Sequence, residues 1–152
     1  MQTRLPPYWY IVNVEAIIVK EGRYLMVTRG EQESHAPGVL TVPGGKVENA
    51  GQASNILEAT LLREIAEEVD IEVYGDVQYL ESNAFIADDG DPVIDIVFLC
   101  RYKRGTPRIA APDEIADLQW LTAEEVLNHP KVPPWTRQSI NLAEKKRLEK
   151  GW

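Results

Sequence analysis

The chain has 152 residues, 44% of them apolar, which is enough for one good hydrophobic core and gives no sign of a second domain. Its formal charge of -8 argues against a nucleic-acid backbone as the main partner, although an acidic protein can meet polyphosphates when metal ions neutralise both sides. A single cysteine rules out an internal disulfide framework, and the lack of an apolar leader or of a stretch long enough to span a bilayer predicts a cytoplasmic protein without membrane contact.

In chain order, Val12 to Val19 and Tyr24 to Thr28 are apolar and rich in β-formers, and Glu21-Gly22 between them predicts a hairpin. Arg29 ends the second of these strands, and the loop from Gly30 to Gly38 carries His35. A short strand, Val39 to Val42, enters Pro43-Gly44-Gly45, read as a turn in which paired glycines take positive φ and bring backbone close to an ion or phosphate. A helix is predicted from about Asn55 to Val69, started by Asn55 and Glu58 as a capping pair. Strands follow at Ile71 to Leu80, Ala84 to Ala87 and Val93 to Tyr102, with Asp88-Asp89-Gly90-Asp91-Pro92 as a turn cluster and Cys100 as a buried strand thiol. Leu118 to Leu121 is a final short strand, Thr122 caps a helix running through Glu125, and Pro134 to Lys150 is a terminal helix. Strands alternating with helices in a chain of this length give the α/β class.

The most informative stretch lies in the first helix, Arg63-Glu64-Ile65-Ala66-Glu67-Glu68-Val69. Residues three and four apart are helical neighbours, so Glu64, Glu67 and Glu68 are expected to converge on one patch. An acidic run is commonly only a solvated face. Here, however, Leu57, Leu61, Ile65 and Val69 form the apolar stripe and Glu68 falls between Leu57 and Leu61 in angle, so these acids border the buried seam. Glu64 and Glu68 repel each other, and Glu67, Glu68 and Asp70 crowd the negative end of the helix dipole, costing about 1 kcal/mol without a counterion. Carboxylates held together against repulsion suit a hard divalent cation.

Gly44-Gly45 upstream of Arg-Glu-(apolar)-x-Glu-Glu makes the chain resemble the Nudix hydrolases, whose signature box runs Gly, five residues, Glu, seven residues, then Arg-Glu-(apolar)-x-Glu-Glu-x-Gly-(apolar). The match departs in three places. About four extra residues lie between Gly45 and Arg63, so the loop Glu48 to Ser54 is longer than usual; the first box Glu is Asn55; and the box Gly is Asp70. Asp still visits the left-handed conformation, so a helix end at Asp70 is expected.

The resemblance implies a mixed β-sheet sandwiched between α-helices, and hydrolysis of a phosphoanhydride in a nucleoside diphosphate linked to another group, with a nucleoside triphosphate or a nucleotide sugar as the broad expectation. It implies Mg²⁺, or Mn²⁺, held by Glu64, Glu67, Glu68 and the carbonyl of Gly44, with Arg63 orienting the acidic helix. Family members place the general base in the box or on a downstream loop, so Glu64 and Glu114 compete; Glu114 precedes Trp120 much as a family Glu precedes the Trp opening the last strand. Gly45 and Arg29 are candidates for substrate phosphates, while Arg101, Lys103 and Arg104 read more readily as surface cations. Tyr8, Trp9 and Tyr10 could stack a base, pack on the sheet or serve a homodimer, which is common in the family. A second reading, a non-catalytic nucleotide-binding module, is motivated by the altered loop, Asn55 and Asp70. The retained glutamates speak against it, because a module released from catalysis has no reason to keep charge repulsion beside its core.

Overall fold

The computed structural model describes residues 8–33 and 35–152. β1 (Ile11–Lys20) and β2 (Arg23–Arg29) form the expected antiparallel hairpin, turned by Glu21 and Gly22, both at positive φ. β3 (Leu40–Thr41) pairs with β2, and β4 (Gly44–Lys46) with β1. α1 (Ile56–Val69) follows, then β5 (Glu72–Val73), β6 (Gln78–Ile86), β7 (Pro92–Arg104) and β8 (Ile115–Thr122), and finally α2 (Ala123–Leu127) and α3 (Pro134–Lys150). The sheet runs β3-β2-β1-β7-β5, with β4 added to β1, β6 to β7 and β8 to β2; β1 and β7 run parallel at its centre.

Strand periodicity divides the core into two layers. Along β1, Val14, Ala16 and Ile18 face α1, where Leu61, Ile65 and Val69 close the first layer. Ile17 and Val19 point the other way, into a layer closed by Val126 of α2 and Ile140 and Ala143 of α3. This is the mixed sheet between helices that the resemblance implied. Cys100 is fully buried in the first layer, and burial pushes its thiol far up, away from nucleophilic use. Among the described residues no helix is long and apolar enough to cross a membrane.

Four local expectations are corrected. Gly44 and Gly45 do not form a free turn at positive φ: they lie in β4, with Gly44 opposite Glu15 and Gly45 opposite Val14. Their partner strand lies some thirty residues upstream, and a pairing of that range leaves no local signal. The strand expected from Ile71 to Leu80 breaks after Val73, and β6 then runs unbroken through Glu81-Ser82-Asn83, where the expected strands had left a gap. β6 is paired only with β7 and much of it is exposed, so it tolerates polar side chains without ceasing to be a strand. Asn55 is left-handed (φ 54°) and its side chain caps nothing, because side-chain capping needs an extended backbone; its carbonyl instead takes the Ala59 N–H at 3.0 Å. Finally, β8 begins at Ile115, so Trp120 lies within the strand rather than opening it.

Other termini match expectation. Asp70 ends α1 in the left-handed conformation (φ 56°), its N–H bonded to the Ile65 carbonyl at 3.1 Å. Thr122 and Glu125 make a reciprocal capping box, at 3.2 Å from the Glu125 N–H to the Thr122 hydroxyl and 3.0 Å from the Thr122 N–H to the Glu125 carboxylate. Removing the Thr122 hydroxyl in Thr122→Ala is expected to cost about 1 kcal/mol in denaturant unfolding while leaving turnover unchanged, since α2 lies away from the acidic helix.

Candidate active site

α1 delivers its acids to different environments. Glu68 is buried, 6% exposed, and its carboxylate accepts the Gly44 N–H at 3.1 Å across the gap to β4. Burial, then the neighbouring charges of Glu64 and Glu114, outweigh that hydrogen bond and leave its pKa pushed up to about 8. One turn earlier, Glu64 is half-buried against Gly45, where a β-carbon would collide with its carboxyl group. It accepts from Arg63 at 3.0 Å, yet burial still raises its pKa. Glu67 is exposed and reaches only the Arg63 guanidinium, at 3.8 Å. Glu64 and Glu68 thus share the gap under β4 while Glu67 stands at its edge, and among the described residues no three acids or histidines are gathered into a finished metal cage.

Arg63 ties the long loop to this helix. It donates to Glu48 and to the Lys46 carbonyl, each at 3.2 Å. Glu48, at the start of the lengthened loop, therefore supplies the carboxylate partner that Asn55 does not. Glu114 enters from the opposite side. It is exposed, its carbonyl accepts the Gly30 N–H at 2.8 Å, and its charge is felt by both Glu64 and Glu68. Two distant segments, α1 and the β8 approach, thus bring negative charge to one place, beside the backbone of β4.

β4 is also the wall of a cleft of about 860 Å³ on the α3 side of the sheet. Lys46 and Arg29 line it with positive charge, and Asn13, Glu15 and Asp95 lie among its lining residues. Arg29 is held by the His35 carbonyl (2.9 Å) and Glu33 (3.2 Å), which places two of the predicted loop's residues at the same cleft. Asn13 donates to Asp95 at 2.7 Å, and burial raises the pKa of both Glu15 and Asp95. Gly45 itself does not line this cleft; its missing side chain makes room for Glu64 on the α1 side.

Several candidates fall elsewhere. Arg101 stacks over Tyr74 and pairs with Asp76, Lys103 lies over the same ring, and Arg104 pairs with Glu72, so none of the three lines the cleft. Tyr8, Trp9 and Tyr10 are exposed, neither packed in the core nor part of the cleft. Trp120 packs partly buried against the α1-side core with its ring edge-on to Tyr102, and His129 accepts the Lys131 N–H in a turn. Asp88 and Asp89 lie at the cleft rim, where Asp88 meets His35 at 3.6 Å. Asn13, Glu15, Asp95, Phe85 and Trp135 were missed by the sequence reading. The available signal was a lone carboxylate inside an apolar strand, Glu15 in β1 and Asp95 in β7, since such a group survives there only with a partner or a purpose.

A family model described as NUDIX domain matches residues 9–143. Among solved structures, the MutT NUDIX hydrolase from Burkholderia pseudomallei superposes with a TM-score of 0.74 at 27% identity, over 88% of this chain and 98% of that one. The MutT protein from Methanosarcina mazei Go1 does so with a TM-score of 0.74 at 24% identity, over 91% of this chain and 95% of that one. The NUDIX domain of Shewanella oneidensis NrtR, solved with ADP ribose, gives a TM-score of 0.72 at 20% identity, over 93% of each chain. The last two similarities carry the fold alone. No curated protein sequence matches the chain.

Proposed function

The chain belongs to the Nudix family and is a Nudix-type pyrophosphohydrolase, and from that premise we propose that it cleaves a phosphoanhydride bond in a nucleoside triphosphate or a nucleotide sugar, as a single cytoplasmic domain working with Mg²⁺ or Mn²⁺. The observation that carries this reading is the buried Glu68 carboxylate, bonded to the Gly44 N–H and facing Glu64 and Glu114, with no cationic side chain paired to it among the described residues. A multiply acidic gap of this kind fits a hard divalent ion, whose charge would offset the burial and repulsion that otherwise raise the Glu68 pKa. Glu64 and Glu68 would hold that ion, with the exposed Glu67 and the Gly44 carbonyl completing the set. When bound, it would supply charge compensation on the phosphate oxygens and a more acidic water.

The chain's own groups do the rest. Glu114 and Glu64 are positioned to take the proton of the attacking water, Glu114 from solvent and Glu64 from under β4. Arg29 and Lys46 at the cleft offer cations to phosphate, while Gly44 and Gly45 leave room for β1 and for the Glu64 carboxyl group. Arg63, bound to Glu48, Glu64 and the Lys46 carbonyl, fixes the helix against the strand.

The test is release of phosphate or pyrophosphate from a panel of nucleoside triphosphates, nucleotide sugars, ADP-ribose and dinucleoside polyphosphates. Turnover is expected to require Mg²⁺ or Mn²⁺, to vanish with chelator and to return when the cation is restored; no cation-dependent turnover on any compound would overturn the proposal. If Glu114 shares the base role with Glu64, Glu114→Gln should lower kcat by about tenfold with little change in KM, less than the full loss of a lone general base.

A further inference from the structure

The lining of the cleft carries a pattern of its own. Three neutral donors of the lining point into carboxylates: Asn13 donates to Asp95 (2.7 Å), Asn83 to Glu81 of β6 (3.0 Å) and the Ser139 hydroxyl to Glu81 (2.8 Å), while the Thr41 hydroxyl is paired with that of Thr136. What is left facing a ligand is a surface of carboxylate and amide oxygens, with Asp95 only 8% exposed at its base. The same lining carries aromatic faces. His35 and Phe85 stack with ring centres 6.1 Å apart and planes within 17°, and Trp135, 53% exposed, is a third aromatic residue of the lining.

An aromatic slot over an acceptor-rich floor selects a planar heterocycle by its hydrogen-bonding edge. An exocyclic amino group brings donors to the waiting oxygens. A keto oxygen in the same position sets acceptor against acceptor, with neither able to turn to water. The cations Arg29 and Lys46 on the same lining suit phosphates extending from that heterocycle toward Gly44 and Gly45.

We infer that this cleft selects the base of the nucleotide, taking amino-bearing bases such as cytosine and adenine and rejecting their keto counterparts, with Asp95 as the specificity-determining residue and Asn13 holding its carboxylate in place. The inference rests on the hydrolase reading for its phosphate chemistry, but base selection is readable without turnover. Two pairs test the edge, because in each the exocyclic amino group is exchanged for a keto oxygen and the neighbouring ring nitrogen changes from acceptor to donor: cytidine with uridine, and adenosine with inosine. Calorimetric binding of CMP against UMP and of AMP against IMP, together with kcat/KM for the matching triphosphates, is expected to favour the amino member at least about tenfold.

Asp95→Asn changes no volume, and in it one acceptor becomes a donor, so the preference should narrow or reverse; circular dichroism checks that the variant folds. Equal affinity within both pairs, or an unchanged ratio in folded Asp95→Asn, would overturn the assignment. Selectivity in monophosphate binding without turnover of any compound in the panel would sink the hydrolysis proposal and leave this one standing. Should Asp95→Asn not fold, the wild-type ratios decide alone.

Discussion

Glu68→Gln is expected to lower kcat by about a thousandfold or more and, at the same time, to make the cation-free protein more stable above pH 7. The two effects have one cause. Glu68 is buried beside Glu64 and Glu114 and receives a single backbone hydrogen bond, so its folded-state pKa rises from the ordinary 4.5 to about 8. A carboxyl group whose folded pKa is raised binds its proton more tightly folded than unfolded. Its stabilising contribution is therefore full below about pH 4.5 and is lost progressively as pH rises to about 8, a change worth several kcal/mol at this size of shift. Glutamine is neutral throughout, keeps an oxygen for the Gly44 N–H and removes that decline. Melting temperatures from pH 5 to 8.5 in chelator should fall more steeply for the wild type than for the variant, in which Glu15, Glu64 and Asp95, also raised by burial, still titrate. Adding Mg²⁺ at pH 8 should stabilise the wild type and do little for Glu68→Gln. Full activity in Glu68→Gln would remove Glu68 from the site altogether.

That coupling of chemistry to strain was readable in the chain because it is local. Glu64, Glu67, Glu68 and the stripe Leu57, Leu61, Ile65 and Val69 sit on one helix, and helical geometry alone places Glu68 at the edge of the buried face; the structure buries it fully. It also separates Glu67, which the spacing had grouped with the others, because the Arg63 guanidinium and solvent hold it outside. The cleft was not readable for the opposite reason. Asn13 and Asp95 are 82 residues apart and meet only because β1 and β7 pair in parallel, a crossover that no short window contains. β4 lies between the two cases. Its glycines were seen, but their purpose was misread as backbone freedom, when neither has positive φ and both are required for want of space.

That distinction predicts a divided outcome for two neighbouring substitutions. A β-carbon on Gly44 would strike the Val14 carbonyl and come within 3.2 Å of the Glu15 Cα, both backbone atoms of the partner strand, which cannot rotate away. Gly44→Ala should therefore loosen the pairing of β4 with β1 and lower stability by about 1–3 kcal/mol. A β-carbon on Gly45 meets only the carboxyl end of Glu64, a group free to swing about its side-chain torsions. Gly45→Ala should therefore fold with nearly wild-type stability, yet its kcat should fall about a hundredfold or more, because displacing a reactive carboxylate by about 1 Å already costs that much. Denaturant unfolding and steady-state kinetics on both variants separate the two causes. If Gly45→Ala kept full activity, the position of Glu64 under β4 would be irrelevant to turnover, and the base role would fall to Glu114 alone. If instead it lost stability as Gly44→Ala does, the space beside Glu64 would be serving the sheet rather than the reaction.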